Sequence, residues 1–178
     1  MPVHQESCVG ICVIKIKDIM VKDVITVELR ESVKTAVGLM KKNEIGCLIV
    51  VEDGKPIGIV TERDMLNRVL MLGKNPEKTK VHNVMTRSLV SGKLDMEIIE
   101  AARLMFKRGI KKLPVVDRGR LIGLVTLTDL VYSQEVLTEM VGILETMRQT
   151  TPKRMIKVLD PLLRIMGPVE TPTKLGKI

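Results

Sequence analysis

Residues 19–65 of this chain align with residues 84–130 at a constant offset of 65, without a gap, and sixteen of the 47 paired positions are identical. An internal repeat constrains architecture before any single residue does, because each copy must adopt the same local structure and find a partner for the same apolar faces. The identities include Met20/Met85, Ala36/Ala101, Met40/Met105, Val50/Val115, Gly54/Gly119, Gly58/Gly123, Thr61/Thr126 and Asp64/Asp129. Apolar positions and turn glycines are kept in one register.

Within each copy the hydrophobic period changes in the same order. Short β-rich runs, Val24 to Val27 and Leu89 to Ser91, come first. Ser32 and Asp95 then stand where helix N-caps belong, ahead of Val33, Ala36, Val37, Met40 and of Ile98, Ala101, Ala102, Met105 at helical spacing, and Gly109 closes the second helix. The continuous β-branched runs Cys47 to Glu52 and Leu113 to Asp117 follow. Asp53-Gly54 and Arg118-Gly119 join them, as hairpin turns, to the strands Pro56 to Val60 and Arg120 to Val125. A last helix opens at Thr61 or Thr126, carrying Met65, Leu66, Val69 and Leu70 in the first copy. Each copy therefore reads β-α-β-β-α, an α/β (α+β) class. Three strands and two helices are too few to bury both sheet faces alone, so the two copies are expected to pack sheet to sheet around one shared core, with pseudo-twofold symmetry and two equivalent clefts.

The chain of 178 residues is long enough to bury about 70% of its unfolded surface. Phe106 and Tyr132 are its only aromatics, so the core must be aliphatic. No apolar run reaches the ~18 residues of a membrane span and no secretory signal pattern opens the chain, which sets a cytoplasmic expectation. Cys8, Cys12 and Cys47 form no Cys-x-x-Cys pair, and His4 and His82 have no metal-ligand spacing or nucleophile motif around them. No metal, no required cofactor and no catalytic constellation is expected, hence no enzyme. The methionines mostly fall on helix faces already apolar, and Met20, Met40, Met85 and Met105 read as flexible core filling.

Gly58-Ile59-Val60-Thr61-Glu62-Arg63-Asp64 and Gly123-Leu124-Val125-Thr126-Leu127-Thr128-Asp129 resemble the signature that ends CBS domains, and Leu113-Pro114-Val115-Val116-Asp117 and Met85-Thr86 resemble two other family segments. The chain is thus similar to a stand-alone tandem CBS protein, or Bateman module. Its domains would be CBS repeat 1 (16–75) and CBS repeat 2 (76–133), after an N-terminal segment (1–15) and before a C-terminal helical extension (134–167) and a flexible tail (168–178). The resemblance implies a regulatory module that binds an adenosine-containing ligand of the AMP, ADP, ATP or S-adenosylmethionine class in the clefts between repeats, and that forms a homodimer. Carried over, it sets Thr61, Arg63 and Asp64 against Ser91, Ile110, Lys111, Lys112 and Pro114 in the first cleft. Thr126 and Asp129 face Thr26, Ile45, Gly46, Cys47 and Ile49 in the second. Lys111 and Lys112 align with Gly46 and Cys47, so the first cleft carries the extra cations and is expected to take the charged nucleotide first.

Thr-x-x-Asp at a helix start supports two roles. The helix start offers N–H groups to phosphate and its aspartate can accept from a ribose diol, yet the same spacing is close to a capping box that serves stability alone. The 29 Lys and Arg against 21 Asp and Glu give a net charge of +8, and from Thr146 onward seven basic residues stand against two acidic ones. Val136, Leu137, Met140, Val141, Leu144 and Met147 have helical spacing, and a further short helix begins at Asp160-Pro161. These helices either cover the module or stiffen a dimer. The alternative function is a dimeric scaffold that binds nucleic acid or a regulated protein through the basic extension. The lack of an aromatic stacking platform disfavours single-stranded nucleic acid.

Overall fold

The structure is a computed structural model that describes residues 14–131. Its elements run α1 (Ile16–Ile19), β1 (Thr26–Glu28), α2 (Val33–Lys42), β2 (Cys47–Glu52), β3 (Lys55–Thr61), α3 (Glu62–Met65), β4 (Thr86–Arg87), α4 (Ile98–Arg108), β5 (Lys112–Asp117), β6 (Arg120–Thr126) and α5 (Leu127–Val131). A π-type turn, Leu66–Leu70, extends α3, and a 3-10 turn, Val81–Asn83, precedes β4. The expected C-terminal helices and tail lie outside the described residues.

In the first copy β1 runs parallel to β2, β2 pairs antiparallel with β3, and β4 adds antiparallel to β3. In the second copy β5 and β6 form the matching hairpin. Both hairpins turn through two residues of positive φ, Asp53 (50°) with Gly54 (74°) and Arg118 (47°) with Gly119 (78°). This is the handedness that fits the strand twist. Each hairpin also shifts register at the same place, Val50/Val51 and Val115/Val116.

The fourth strand of the first sheet comes from the other copy. Thr86 pairs with Ile59 in β3, and at the equivalent place Val21 pairs with Leu124 in β6. The segment that opens each repeat thus crosses to the edge of the other repeat's sheet. Its close approach requires glycine: a Cβ on Gly58 would lie 2.8 Å from the Thr86 carbonyl oxygen, and one on Gly123 would meet the Met20 side chain and come 3.0 Å from the Val21 carbonyl oxygen. The repeated Met20/Met85 and Gly58/Gly123 pairs are the two sides of these crossings. The same segments begin the long helices. Thr79 O accepts from Val33 N at 2.9 Å, and Ile14 O accepts from Ile98 N at 3.1 Å, satisfying a free N–H of each helix start.

The shared core expected from the sequence is corrected by the structure, which builds two clusters. One gathers Val27, Val33, Ala36, Met40, Leu48, Val50, Val60, Met65 and Val69 with Val81, Val84 and Met85 from the crossing segment. The other gathers Ile98, Ala101, Met105, Phe106, Leu113, Val115, Val125, Leu127 and Leu130 with Ile16. Strand side chains alternate between faces, so Leu48 and Val50 serve the helix-covered face while Ile49, with 0% exposure and outside that cluster, belongs to the opposite one. The two copies also lie against each other through β3 and β6.

Three further expectations change. Leu89 to Ser91 form no strand: Ser88 at φ 61° turns the chain away, and only Gly92 bridges to Val115, where a Cβ would lie 2.8 Å from Ile16 Cδ1. A glycine forced by packing weakens a strand. Asp95 is not the cap of α4. Glu97 takes the cap position without a side-chain bond, while Asp95 turns to Lys17. Ser32 does cap α2, accepting from Thr35 N at 3.0 Å. Val37, expected on the buried stripe of α2, is 44% exposed, because Val33, Ala36 and Met40 already fill the face toward β2.

Candidate functional site

Both Thr-x-x-Asp sequences fold as capping boxes at the strand-to-helix junction. At the end of β3, Thr61 N and Thr61 Oγ1 donate to Asp64 Oδ2 at 2.9 and 2.7 Å, and Asp64 N donates back to Thr61 Oγ1 at 3.3 Å. At the end of β6, Thr126 N and Thr126 Oγ1 donate to Asp129 Oδ2 at 2.7 and 2.9 Å, and Asp129 N returns a bond at 3.3 Å. The structure therefore realises the capping role in both copies. A carboxylate has about four acceptor sites, and two remain on Oδ1.

That second oxygen distinguishes the copies. Asp64, whose side chain is 14% exposed, uses Oδ1 for Arg68 Nη2 at 3.3 Å. Asp129 Oδ1 has no partner among the described residues. Arg68 also donates to the carbonyl oxygens of Val84 and Met85 at 2.6 and 2.8 Å, so the first copy's aspartate is tied to the segment that crosses in from the second. The i,i+4 spacing from Asp64 to Arg68 was visible in the sequence. The two carbonyls, sixteen and seventeen residues away, were not.

The neighbours of each threonine come first from its own copy. Cys47 stands opposite Thr61 in the β2–β3 register, and Gly46 O accepts from Glu62 N at 3.2 Å. A Cβ on Gly46 would lie 2.9 Å from Glu62 Oε2, so the glycine makes room for that carboxylate. Lys112 stands opposite Thr126 in β5–β6, and Lys111 O accepts from Leu127 N at 3.0 Å. Arg63, Lys111, Ser91 and Thr26 are exposed, and Lys112, Ile45 and Ile110 are half-buried. Ile49, Cys47 and Pro114 are buried, so they can shape a cleft floor but offer little surface to solvent. Cys47 is a free thiol. Among the described residues no cluster of His, Cys, Asp and Glu could hold a metal ion, and no helix is long and apolar enough to cross a membrane.

The family model for the CBS domain matches twice, over residues 16–71 and 81–135, each match taking in one capping box and the crossing segment before it. The protein belongs to the CBS-domain family, as a tandem pair. It is 38% identical over 119 residues to the CBS domain-containing protein YhcV of Bacillus subtilis, an alignment covering 67% of this chain and 84% of that one. It is 36% identical over 126 residues to the uncharacterized protein MK0525 of Methanopyrus kandleri, covering 70% of this chain and 64%, just under two thirds, of that relative. Among solved structures it is similar to CBSX2 in complex with AMP, at a TM-score of 0.59 and 26% identity, over 66% of this chain and 94% of that one. Tandem CBS domains are a regulatory, ligand-sensing type of module.

Proposed function

We propose that the protein is a non-catalytic sensor of an adenosine-containing nucleotide, bound where the two CBS copies meet, and that it acts as a homodimer on a protein it regulates. The carrying observation is the pair of Thr–Asp boxes, equivalent in geometry, each with a carboxylate Oδ1 directed away from its own cap. The AMP complex of a similar tandem CBS protein supports the choice of ligand class.

The two clefts differ in what a ligand must displace. At Asp129 the Oδ1, with no partner among the described residues, can accept a ribose hydroxyl directly. At Asp64 the hydroxyl competes with Arg68, and the released guanidinium adds to Arg63, Lys111 and Lys112 as phosphate partners. Binding of the charged nucleotide at Asp64 would then loosen the Arg68 tie to the crossing segment, a direct route from an occupied cleft to altered packing between copies.

Calorimetry of the ligand-free, folded chain with AMP, ADP, ATP and S-adenosylmethionine tests this reading. Asp64→Ala should weaken the more charged nucleotides at least tenfold, and Asp129→Ala should act mainly on the other site. Absence of binding below the millimolar range for all four ligands would sink the proposal. Light scattering with and without ligand tests the dimer.

A further inference from the structure

Cys47 and Thr61 mark one end of the first sheet, and Glu52 and Lys55 mark the other. At that far end lies an open cavity of about 490 Å³ lined by Leu29, Arg30, Glu52, Lys80, His82 and Arg87. None of the residues carried over to the two clefts lines it. Its volume falls within the ~300–1,000 Å³ range of small-ligand sites.

The second copy supplies an internal control. Ser32 bridges Lys80 in the first copy as Glu97 bridges Lys15 in the second. Val81 N donates to Glu31 O at 2.9 Å as Ile16 N donates to Met96 O at 2.9 Å. The 65-residue offset thus carries Lys80 onto Lys15, His82 onto Lys17 and Arg87 onto Lys22, on equivalent backbone. It also carries Arg30 onto Asp95. In the second copy the Asp95 carboxylate holds Lys17 at 3.2 Å and Lys15 at 3.7 Å. In the first, the anion is replaced by a cation. Arg30, Lys80 and Arg87 make no ion pair among the described residues, and Glu52 is the only acidic residue in the lining.

Three like charges face one concave space with a single carboxylate beside them, leaving an excess of two positive charges. Such an arrangement focuses a positive potential, and the flat guanidinium forks of Arg30 and Arg87 match phosphate oxygens in a way that a point charge does not. We propose that this cavity is a second anion site, separate from the nucleotide clefts, for a small ligand bearing two adjacent phosphate charges. It does not depend on the reading of Asp64 or Asp129.

Inorganic pyrophosphate is the probe, and His82 is the reporter. The chain has two histidines, His4 and His82, so the imidazole proton resonances are few enough to follow individually. Titration of the full chain at low salt should move the His82 resonances saturably and leave those of His4 in place. Arg30→Asp places in the first copy the residue the second already carries. It should give Lys80 an internal partner and weaken binding at least tenfold, with Lys80→Gln as a second variant in case the first does not fold. Raising the salt should weaken the wild-type interaction. Unmoved His82 signals, or an affinity unchanged in both variants, would overturn the site. A poly-glutamate peptide that binds more tightly than pyrophosphate at the same residues would also overturn it, assigning the surface to an acidic protein partner.

Discussion

The two copies repeat one helix, hairpin and capping-box backbone and diverge in how they satisfy its polar groups. The second closes α4 with Gly109 in the left-handed region at φ 63°, where the first places Glu44 at φ 54°. The second neutralises Lys15 and Lys17 with Asp95, while the first sets Arg30 and Lys80 in one cavity with no ion pair among the described residues. The first ties its aspartate to Arg68, and Asp129 Oδ1 has no such tie among the described residues. A duplicated fold keeps the apolar register because both sheets depend on it. Its caps and charges are free to drift, and those differences separate the candidate sites.

The strongest challenge to this comparison addresses the cores, which exchange segments and should therefore unfold together. Leu48→Ala and Leu113→Ala, at equivalent and fully buried positions, should each cost about 2–5 kcal/mol and displace one cooperative transition. Two separate transitions in urea, followed by circular dichroism, would break the interlocked picture. Gly58→Ala should cost about 1–3 kcal/mol, because its Cβ meets the Thr86 carbonyl. Gly123→Ala should cost less, since its nearest neighbour is the flexible Met20 side chain. Equal losses in the two variants would show that the crossings are not distinguished by what they touch.

Arg68→Ala removes charged donors from two carbonyls of the crossing segment and should cost about 1–2 kcal/mol, discounted for its partial exposure. An unchanged midpoint would show that the first copy is not pinned there. Glu44→Gly should raise stability by about 0.5–1 kcal/mol, bringing the end of α2 to the form α4 already has. The smallest effect concerns Asp95, whose carboxyl is held below its ordinary 3.8 by the hydrogen bond from Lys17 and then by the charges of Lys17 and Lys15. A lowered carboxyl contributes stability above its unfolded value and loses it as pH falls through the folded one. Asp95→Asn should therefore lower the melting temperature slightly near neutral pH. The gap should close in acid, and a gap constant with pH would remove the charge from the explanation.

Much of the fold was legible because it is local or periodic. The hairpin turns at Asp53-Gly54 and Arg118-Gly119, the Ser32 cap and the strand runs around Leu48 and Leu113 each depend on neighbours within a few residues. Asp95 suits a cap by residue type, yet the cap position falls two residues later at Glu97, the counterpart of Ser32. The Asp95 carboxylate instead meets two lysines some eighty residues earlier. Likewise the capping boxes were visible in Thr61-x-x-Asp64 and Thr126-x-x-Asp129, while the Arg68 tie that makes them unequal was only half visible.

By itself, then, the sequence determined two copies of a helix, hairpin and helix with paired Thr–Asp boxes, since a gapless 65-residue register leaves one pattern of turns and faces for both copies. Only the tertiary structure decided that each repeat borrows an edge segment from the other, that the apolar side chains form two clusters, and that Arg30 shares a cavity with Lys80 while Asp95 pairs with Lys17. The reason is range. Periodicity and capping act over one or two turns of chain, whereas the meeting of a glycine with a distant carbonyl, or of a cation with its missing partner, depends on how distant segments cross.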